Sequence, residues 1–241
     1  MSSSTGRGGG GRNPAPGGPG RHASRRPPDA RAEGAKPGSD FWDRIQRGNN
    51  VTKIGNSTNP RDVAGQIAAQ ARAAVDCPFL QCVGPQSTNQ GLKAIAIART
   101  YLQQSDQSGD TCHPDIVMYP EFVHLTGDED LSAISMRLAK RTRRPGVTGK
   151  EGRILKVGNQ TDPKSLAGAI ASCTREGARV ELTAIGAGSV NQAVKAIAIA
   201  RQYVEEEAID LCCRPEFVEV DVEGSDTTTS AIRLLVLVEQ T

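Results

Sequence analysis

The heptapeptide Lys-Ala-Ile-Ala-Ile-Ala-Arg occurs twice in this chain, at Lys93–Arg99 and at Lys195–Arg201. Asn89-Gln90 precedes the first copy at the spacing by which Asn191-Gln192 precedes the second. Upstream, Lys53-Ile-Gly-Asn with Asn59-Pro60-Arg61-Asp62 parallels Lys156-Val-Gly-Asn with Asp162-Pro163-Lys164-Ser165. Downstream, Pro120-Glu121-Phe122-Val123 parallels Pro215-Glu216-Phe217-Val218. The offset between copies is 103, then 102, then 95 residues, so the differences are loop insertions within one shared unit. A chain that carries one domain-sized unit twice folds as two copies of one structure.

The second copy spells the unit out. Ile154–Val157 is a short apolar strand, matched by Val51–Ile54. A helix then starts with Asp162 or Asn59 as N-cap and Pro163 or Pro60 at the first helical position. Leu166, Ala167, Ile170 and Ala171 share one face of it, and Gly177 marks its stop. Val180, Leu182 and Ala184 alternate with Arg179, Glu181 and Thr183, as in a strand with one wet face. A second helix is expected over about Val190–Glu207. An extended run through Phe217, Val218, Val220 and Val222, a turn around Gly224–Thr228 and a strand over Ala231–Val238 complete a βαβαββ order. The expected class is an α+β two-layer sandwich.

Wheel geometry makes the second helix the decisive element. Val190, Ala193, Val194, Ile197, Ala200 and Val204 form one apolar face for the sheet. Gln192, Ala196, Ile199 and Tyr203 form a second stripe, repeated as Gln90, Ala94, Ile97 and Tyr101. A helix that is apolar on two sides is buried on two sides, so the two repeats are expected to pack through these stripes as an intrachain pseudo-dimer. Arg99 and Arg201 lie near the end of the main face and must snorkel outward or meet a carboxylate. Lys93, Lys195, Asn89 and Asn191 fall on the polar edge between the stripes and are candidates for recognition.

Composition narrows the functional classes. Residues 1–40 hold ten Gly, six Pro and six Arg, too little apolar surface to offset the entropy of ordering, and are expected to form a disordered tail. Within it Arg7-Gly8-Gly9 has the character of segments that brush along nucleic acid. Phe41, Trp42 and Ile45 are expected to dock on the first domain, residues 41–142; a basic linker, 143–153, leads to the second, 154–241. The tail carries seven basic and three acidic groups and the linker four against one, whereas the second repeat carries eight basic and thirteen acidic. Positive charge therefore concentrates outside the folded units. Lys140-Arg141-Thr142-Arg143-Arg144 reads as an import address, a phosphate contact or a solubilising linker. No stretch approaches the roughly 20 apolar residues of a membrane span, and the N-terminus lacks a secretory signal. Six cysteines form no Cys-x-x-Cys and are expected as buried thiols in a reducing, intracellular setting, cytoplasmic or nuclear, with no metal or cofactor. Gly186-x-Gly188 lacks the third glycine and acidic ribose ligand of a dinucleotide site, and no Ser-His-Asp or Cys-His set exists, so an enzyme is not expected.

The run Ile154-Leu-Lys-Val-Gly, then Pro163-Lys-Ser-Leu-Ala-Gly-Ala-Ile-Ala, then Ala184-Ile-Gly-Ala-Gly-Ser-Val-Asn-Gln-Ala-Val-Lys-Ala-Ile-Ala-Ile-Ala-Arg, then Arg214-Pro-Glu-Phe resembles the stage V sporulation protein S family across nearly the whole second repeat. The first repeat resembles it more loosely, with Gly84-Pro85-Gln86-Ser87-Thr88 in place of Gly186-Ala187-Gly188-Ser189-Val190. That family is in turn similar to the Alba superfamily of small dimeric DNA- and RNA-binding proteins. The resemblance implies largely sequence-independent nucleic-acid binding. It places Arg61 and Lys164 near phosphate, beside helix N-termini whose free N–H groups favour anions. It makes the turn before the second helix, with Gly186, Gly188, Ser189, Asn191 and Gln192 (Gln90 in the first copy), a second contact. Asp128-Glu129-Asp130 and Asp226 at the last hairpins repel phosphate, so these tips are not expected to embrace a duplex. The competing expectation is a regulatory scaffold that binds proteins through the acidic second repeat. Either form leaves further homo-oligomerisation open.

Overall fold

β1 (Val51–Ile54) lies parallel to β2 (Phe79–Val83), and α1 (Pro60–Arg72) crosses between them. Asn59 caps α1 by accepting the Arg61 N–H at 3.1 Å, and Pro60 occupies the first turn where its missing N–H costs nothing. Strand β2 passes directly into α2 (Gly84–Gln104) with no intervening loop. That sharp reversal needs a positive φ, which Gly84 supplies at 81°. β3 (His113–His124) and β4 (Ser132–Arg143) are antiparallel and close the first repeat. The second repeat follows the same order: β5 (Gly152–Val157), α3 (Pro163–Arg175), β6 (Arg179–Ala184), α4 (Gly186–Val204), β7 (Ile209–Asp221) and β8 (Thr228–Gln240), with a 3₁₀ turn at Glu205–Glu207 after α4. This computed structural model describes residues 50–73, 76–104, 113–124, 132–143, 152–221 and 227–240. The expectations for the tail, for Phe41, Trp42 and Ile45, for Asp128-Glu129-Asp130 and Asp226, and for linker residues 144–151 fall outside them; Arg143 belongs to β4, and Gly152 and Arg153 to β5.

All eight strands form one sheet in the order β1-β2-β4-β3-β7-β8-β6-β5. The order is the same read from either edge, and the repeats meet at a single bridge, Met118 to Cys213. One continuous core joins the helices to one face of the sheet, including Ile67, Leu92, Ile95 and Met118 with Ile170, Val194, Ile197 and Cys213, all 0% exposed. Each buried isoleucine or leucine contributes roughly 1.5–3 kcal/mol relative to its exposed state. The opposite face carries only a small cluster of Val117, Tyr119 and Cys212, with Ala139 and Leu237 against it.

The second repeat's long helix starts a turn earlier than its sequence suggests, because the glycines there are not a loop. Gly186, with φ of 80°, makes the strand-to-helix reversal. Gly188 lets α4 approach the preceding loop so closely that a Cβ would lie 3.0 Å from the Asn159 Cβ.

The second stripe faces a different partner from the one expected. Gln90 Nε2 donates to the Asn56 carbonyl and Arg72 donates to the Tyr101 carbonyl, at 3.5 and 2.9 Å. In the second repeat Gln192 reaches the Asn159 carbonyl and Arg175 the Tyr203 carbonyl, at 3.3 and 2.9 Å. The two ends of each stripe thus bond to the first helix and loop of their own repeat, and Ile97 and Ile199 between them pack there, partly buried. Helices α2 and α4 do touch, and Asn89 and Lys93 of α2 share a cleft with Gly186 and Val190 of α4, while Ala96 and Arg99 of α2 face Pro215 and Glu216 of the other repeat. Tyr203, expected to be buried, is 43% exposed.

Two arginines lock that seam reciprocally. Arg99 forks onto Asp115 of its own repeat, Nε–Oδ1 2.7 Å and Nη2–Oδ2 3.1 Å, and donates to the Pro215 carbonyl at 2.7 Å across the seam. Arg201 forks onto Asp210 at the same distances and donates to the Pro120 carbonyl at 2.9 Å. Each also meets the glutamate after that proline, Glu216 at 3.3 Å and Glu121 at 3.1 Å. A strand residue points its N–H and C=O to the same neighbour, so both prolines turn their missing donor toward the seam. The interstrand ladder stops there, and the guanidinium groups satisfy the carbonyls it leaves. Of the two readings open for these arginines, carboxylate pairing is the one realised.

Candidate functional site

Parallel pairing of β1 with β2, and of β5 with β6, brings both helix starts of a repeat to one end of its strands. The Gln90–Asn56 and Gln192–Asn159 hydrogen bonds tie the first loop to the first turns of the long helix in each repeat. Arg61 and Lys164 sit exposed in the first turns of α1 and α3 beside those loops. Gly186, Gly188, Ser189, Asn191 and Gln192 follow one another in the first turns of α4.

The four helix starts differ in what they offer an anion. At α3 the place is taken: the Asp162 carboxylate accepts the Ser165 N–H and hydroxyl, both at 2.8 Å. The Ser165 N–H, then its hydroxyl, hold the Asp162 carboxyl below its ordinary value of 3.8. Lys164 therefore stands beside a fixed negative charge, and the free N–H groups expected there are already used. The Asn59 amide takes the same place at α1 without the charge. At α2, Pro85 has no N–H to offer, and the Ser87 and Thr88 hydroxyls turn back onto the Gly84 carbonyl at 3.1 and 2.9 Å. At α4 the residue before the helix is Ile185, which supplies no side-chain cap. Its first-turn N–H groups meet no side-chain cap, and Ala187 supplies the one that Pro85 withholds at α2.

Asn89 and Asn191 are not on a polar edge; each is only 7% exposed. Lys93 and Lys195 are half-buried, and among the described residues neither has a carboxylate partner. Ser189 is buried as well. Asn89 and Lys93 line a cleft of about 220 Å³ that crosses the seam, completed by Gly186 and Val190 of α4, Phe217 of β7 and Ser230 of β8. Phe217, 45% exposed, is a member of this site that the sequence reading treated only as a strand residue. Its signal was its place after Pro215-Glu216, where an alternating strand brings it to the helix side next to the seam.

Other candidates are committed elsewhere. Lys140 donates to the Ala73 carbonyl, and Arg141 pairs with Glu239 at 2.9 Å while also donating to the Tyr119 hydroxyl at 2.6 Å. These two residues brace β4, so the basic run that contains them is not a free phosphate contact at this end. The five described cysteines are free and buried, with Cys212 pushed up to about 12, mainly by burial. Among the described residues no group of His, Cys, Asp and Glu could hold a metal ion, and no helix is long and apolar enough to cross a membrane.

Compared with known families, residues 50–141 and again residues 153–239 match the family model of Stage V sporulation protein S (SpoVS).

Proposed function

Because the chain belongs to the stage V sporulation protein S family through both of its repeats, we propose that it is a regulatory, non-catalytic nucleic-acid-binding protein that works as an Alba-like intrachain pseudo-dimer. The observation that supports this most is the gathering of helix starts at the ends of the parallel strands in both repeats, with exposed Arg61 and the uncapped first turn of α4 among them. Among the described residues few aromatic side chains are exposed, so binding is largely independent of sequence and leans on phosphate. Affinity then falls with salt at a log–log slope near −0.9 for each phosphate neutralised on a duplex.

Fluorescence anisotropy at about 50 mM salt, with single- and double-stranded DNA and RNA, tests the proposal. Binding that weakens along this slope supports it, and Arg61→Ala with Lys164→Ala lowers the duplex slope by about 1.8 if both residues touch phosphate. No binding to any of the four nucleic acids removes it. The acidic second repeat, with Glu205–Glu207 exposed on its surface, favours an alternative role as a protein scaffold. A partner retained after nuclease treatment would select that reading.

A further inference from the structure

The cleft across the seam combines three features that a folded protein rarely leaves together. Lys93 of the first repeat lines it, and so does Gly186, the first residue of α4 in the second. A helix start carries roughly half a positive charge, so a cation and a dipole of the same sign share one cleft. Among the described residues no carboxylate neutralises Lys93 and no side chain caps α4. Asn89, 93% buried by its 7% exposure, lines the same cleft, and among the described residues its amide has no hydrogen-bond partner. With no protein partner there, the amide is left to water or to whatever else fills the cleft. Phe217, 45% exposed, lines the cleft too and adds an apolar ring to its polar groups.

We propose that this cleft seats one nucleotide of a single strand. The phosphate lies between the Lys93 ammonium and the first-turn N–H groups of α4. The base stacks on Phe217, and the Asn89 amide and Ser230 hydroxyl meet its polar edge. A volume of about 220 Å³ admits one nucleotide unit and no paired one. The seat is formed by both repeats together, so neither repeat has it alone. The corresponding start of α2 carries Pro85, which withholds one of the N–H groups that Ala187 provides at α4. This inference rests on the proposed nucleic-acid function and adds to it a preference for unpaired strands.

The test measures anisotropy of labelled oligo(dT) and oligo(U) against a duplex of the same length, on the full chain and on Phe217→Ala, Phe217→Tyr and Lys93→Gln. Phe217→Ala is expected to weaken single-strand binding at least about fivefold with duplex binding unchanged, and Phe217→Tyr to restore it, as sequence-tolerant stacking requires. Lys93→Gln is expected to reduce the single-strand salt slope by about 0.7. Unlabelled UMP should compete where inorganic phosphate at equal concentration does so more weakly. Should Phe217→Ala fail to fold, ultraviolet crosslinking of a bromouracil-substituted oligonucleotide to the wild-type chain gives the second readout, with the adduct expected on the peptide that bears Phe217. Single-strand affinity unchanged in both variants, or crosslinks confined to other peptides, overturns the seat and leaves the general function standing. Absence of binding to any nucleic acid overturns both.

Discussion

Replacing Arg99 by methionine should destabilise the protein far more than the same change at Arg201, although the two residues are sequence equivalents. Arg99 is 2% exposed and its partner Asp115 only 1%. Methionine keeps most of the volume but strands the Asp115 carboxylate and the Pro215 carbonyl. Removing one member of a buried pair costs about 3–5 kcal/mol. Asp115 keeps the Ile116 N–H at 2.8 Å and Arg214 at 2.9 Å, which points to the lower end, about 3 kcal/mol. Arg201 and Asp210 are 16% and 21% exposed, so water can re-enter after Arg201→Met and the loss should be about 1–2 kcal/mol. For a folded unit of this size each kcal/mol moves Tm by roughly 2–4 °C, so Arg99→Met should melt about 6–12 °C lower. Urea titrations give the free energies directly, provided the m-value is unchanged. Equal losses for the two variants, or a loss below about 1 kcal/mol for Arg99→Met, would refute the seam as the place where the repeats are held.

Three further outcomes follow from particular contacts. Burial tends to raise the Asp210 carboxyl, but Arg201 outweighs it and holds the group below 3.8, and Tyr119 with Arg141 likewise holds Glu239 below 4.5 against burial. Their stabilisation is complete above those ordinary values and is lost as pH falls toward the depressed folded ones, so urea midpoints measured from pH 6 to pH 3 should be flat and then drop below about pH 4.5, less so in Glu239→Gln. Burial raises the Cys82 and Cys213 thiols strongly and Cys212 to about 12, so a chromogenic disulfide reagent followed by peptide mapping should leave the five described thiols unmodified in the native chain and reach all of them in denaturant. A Cβ on Gly91 would lie 2.9 Å from the Cys82 Sγ, whereas the second repeat has Ala193 and Ala184 at the matching positions. Gly91→Ala alone should cost about 1–2 kcal/mol despite its helix propensity, and adding Cys82→Ala should recover most of it; strictly additive melts would show that the contact is not tight.

The parts of the fold that were legible were those written in local chemistry. Asn59-Pro60 and Asp162-Pro163 announce helix starts because a cap acceptor and a proline are needed there in any context. Val180, Leu182 and Ala184 announce a strand with one buried face for the same reason. The three-sided burial of α2 and α4 was not legible, because alanine at Ala96 and Ala198 reads as neutral on a wheel. Alanine is also what two helices need in order to approach closely. The Ile97 and Ile199 stripes were read as buried but are covered only in part, with Tyr203 exposed, and periodicity cannot say whether the covering helix belongs to the same repeat. Arg99 offered the missing clue: an arginine at the end of an apolar face, duplicated together with Asp115 and Asp210 and with Pro120-Glu121 and Pro215-Glu216. For the site, the helix starts and the Asp162 cap on Ser165 are local and were legible, whereas the burial of Asn89 and the exposure of Phe217 depend on neighbours distant in sequence.

The way the copies have diverged separates what holds the molecule together from what it presents. Tyr119 stands where the second copy has Arg214, which adds a contact to Asp115 on one side only. The reciprocal arginine contacts at the seam nevertheless keep their chemistry in both copies: Arg99 and Arg201, Asp115 and Asp210, and both proline–glutamate pairs. A reciprocal contact requires this, because a change on one side removes the partner of a group on the other. The helix starts have no such constraint, and there the copies differ in ways that alter charge and donor count: Asn59 against Asp162, Pro85 against Ala187, Gln86 against Gly188. In a homodimer any such change would appear on both faces at once. Within a single chain it appears on one, so a cleft such as that between Lys93 and Gly186 can be unlike its counterpart while the arginine contacts of the seam stay reciprocal. Duplication in one chain therefore permits a one-sided site on a two-sided scaffold, and the open start of α4 is where that asymmetry is greatest.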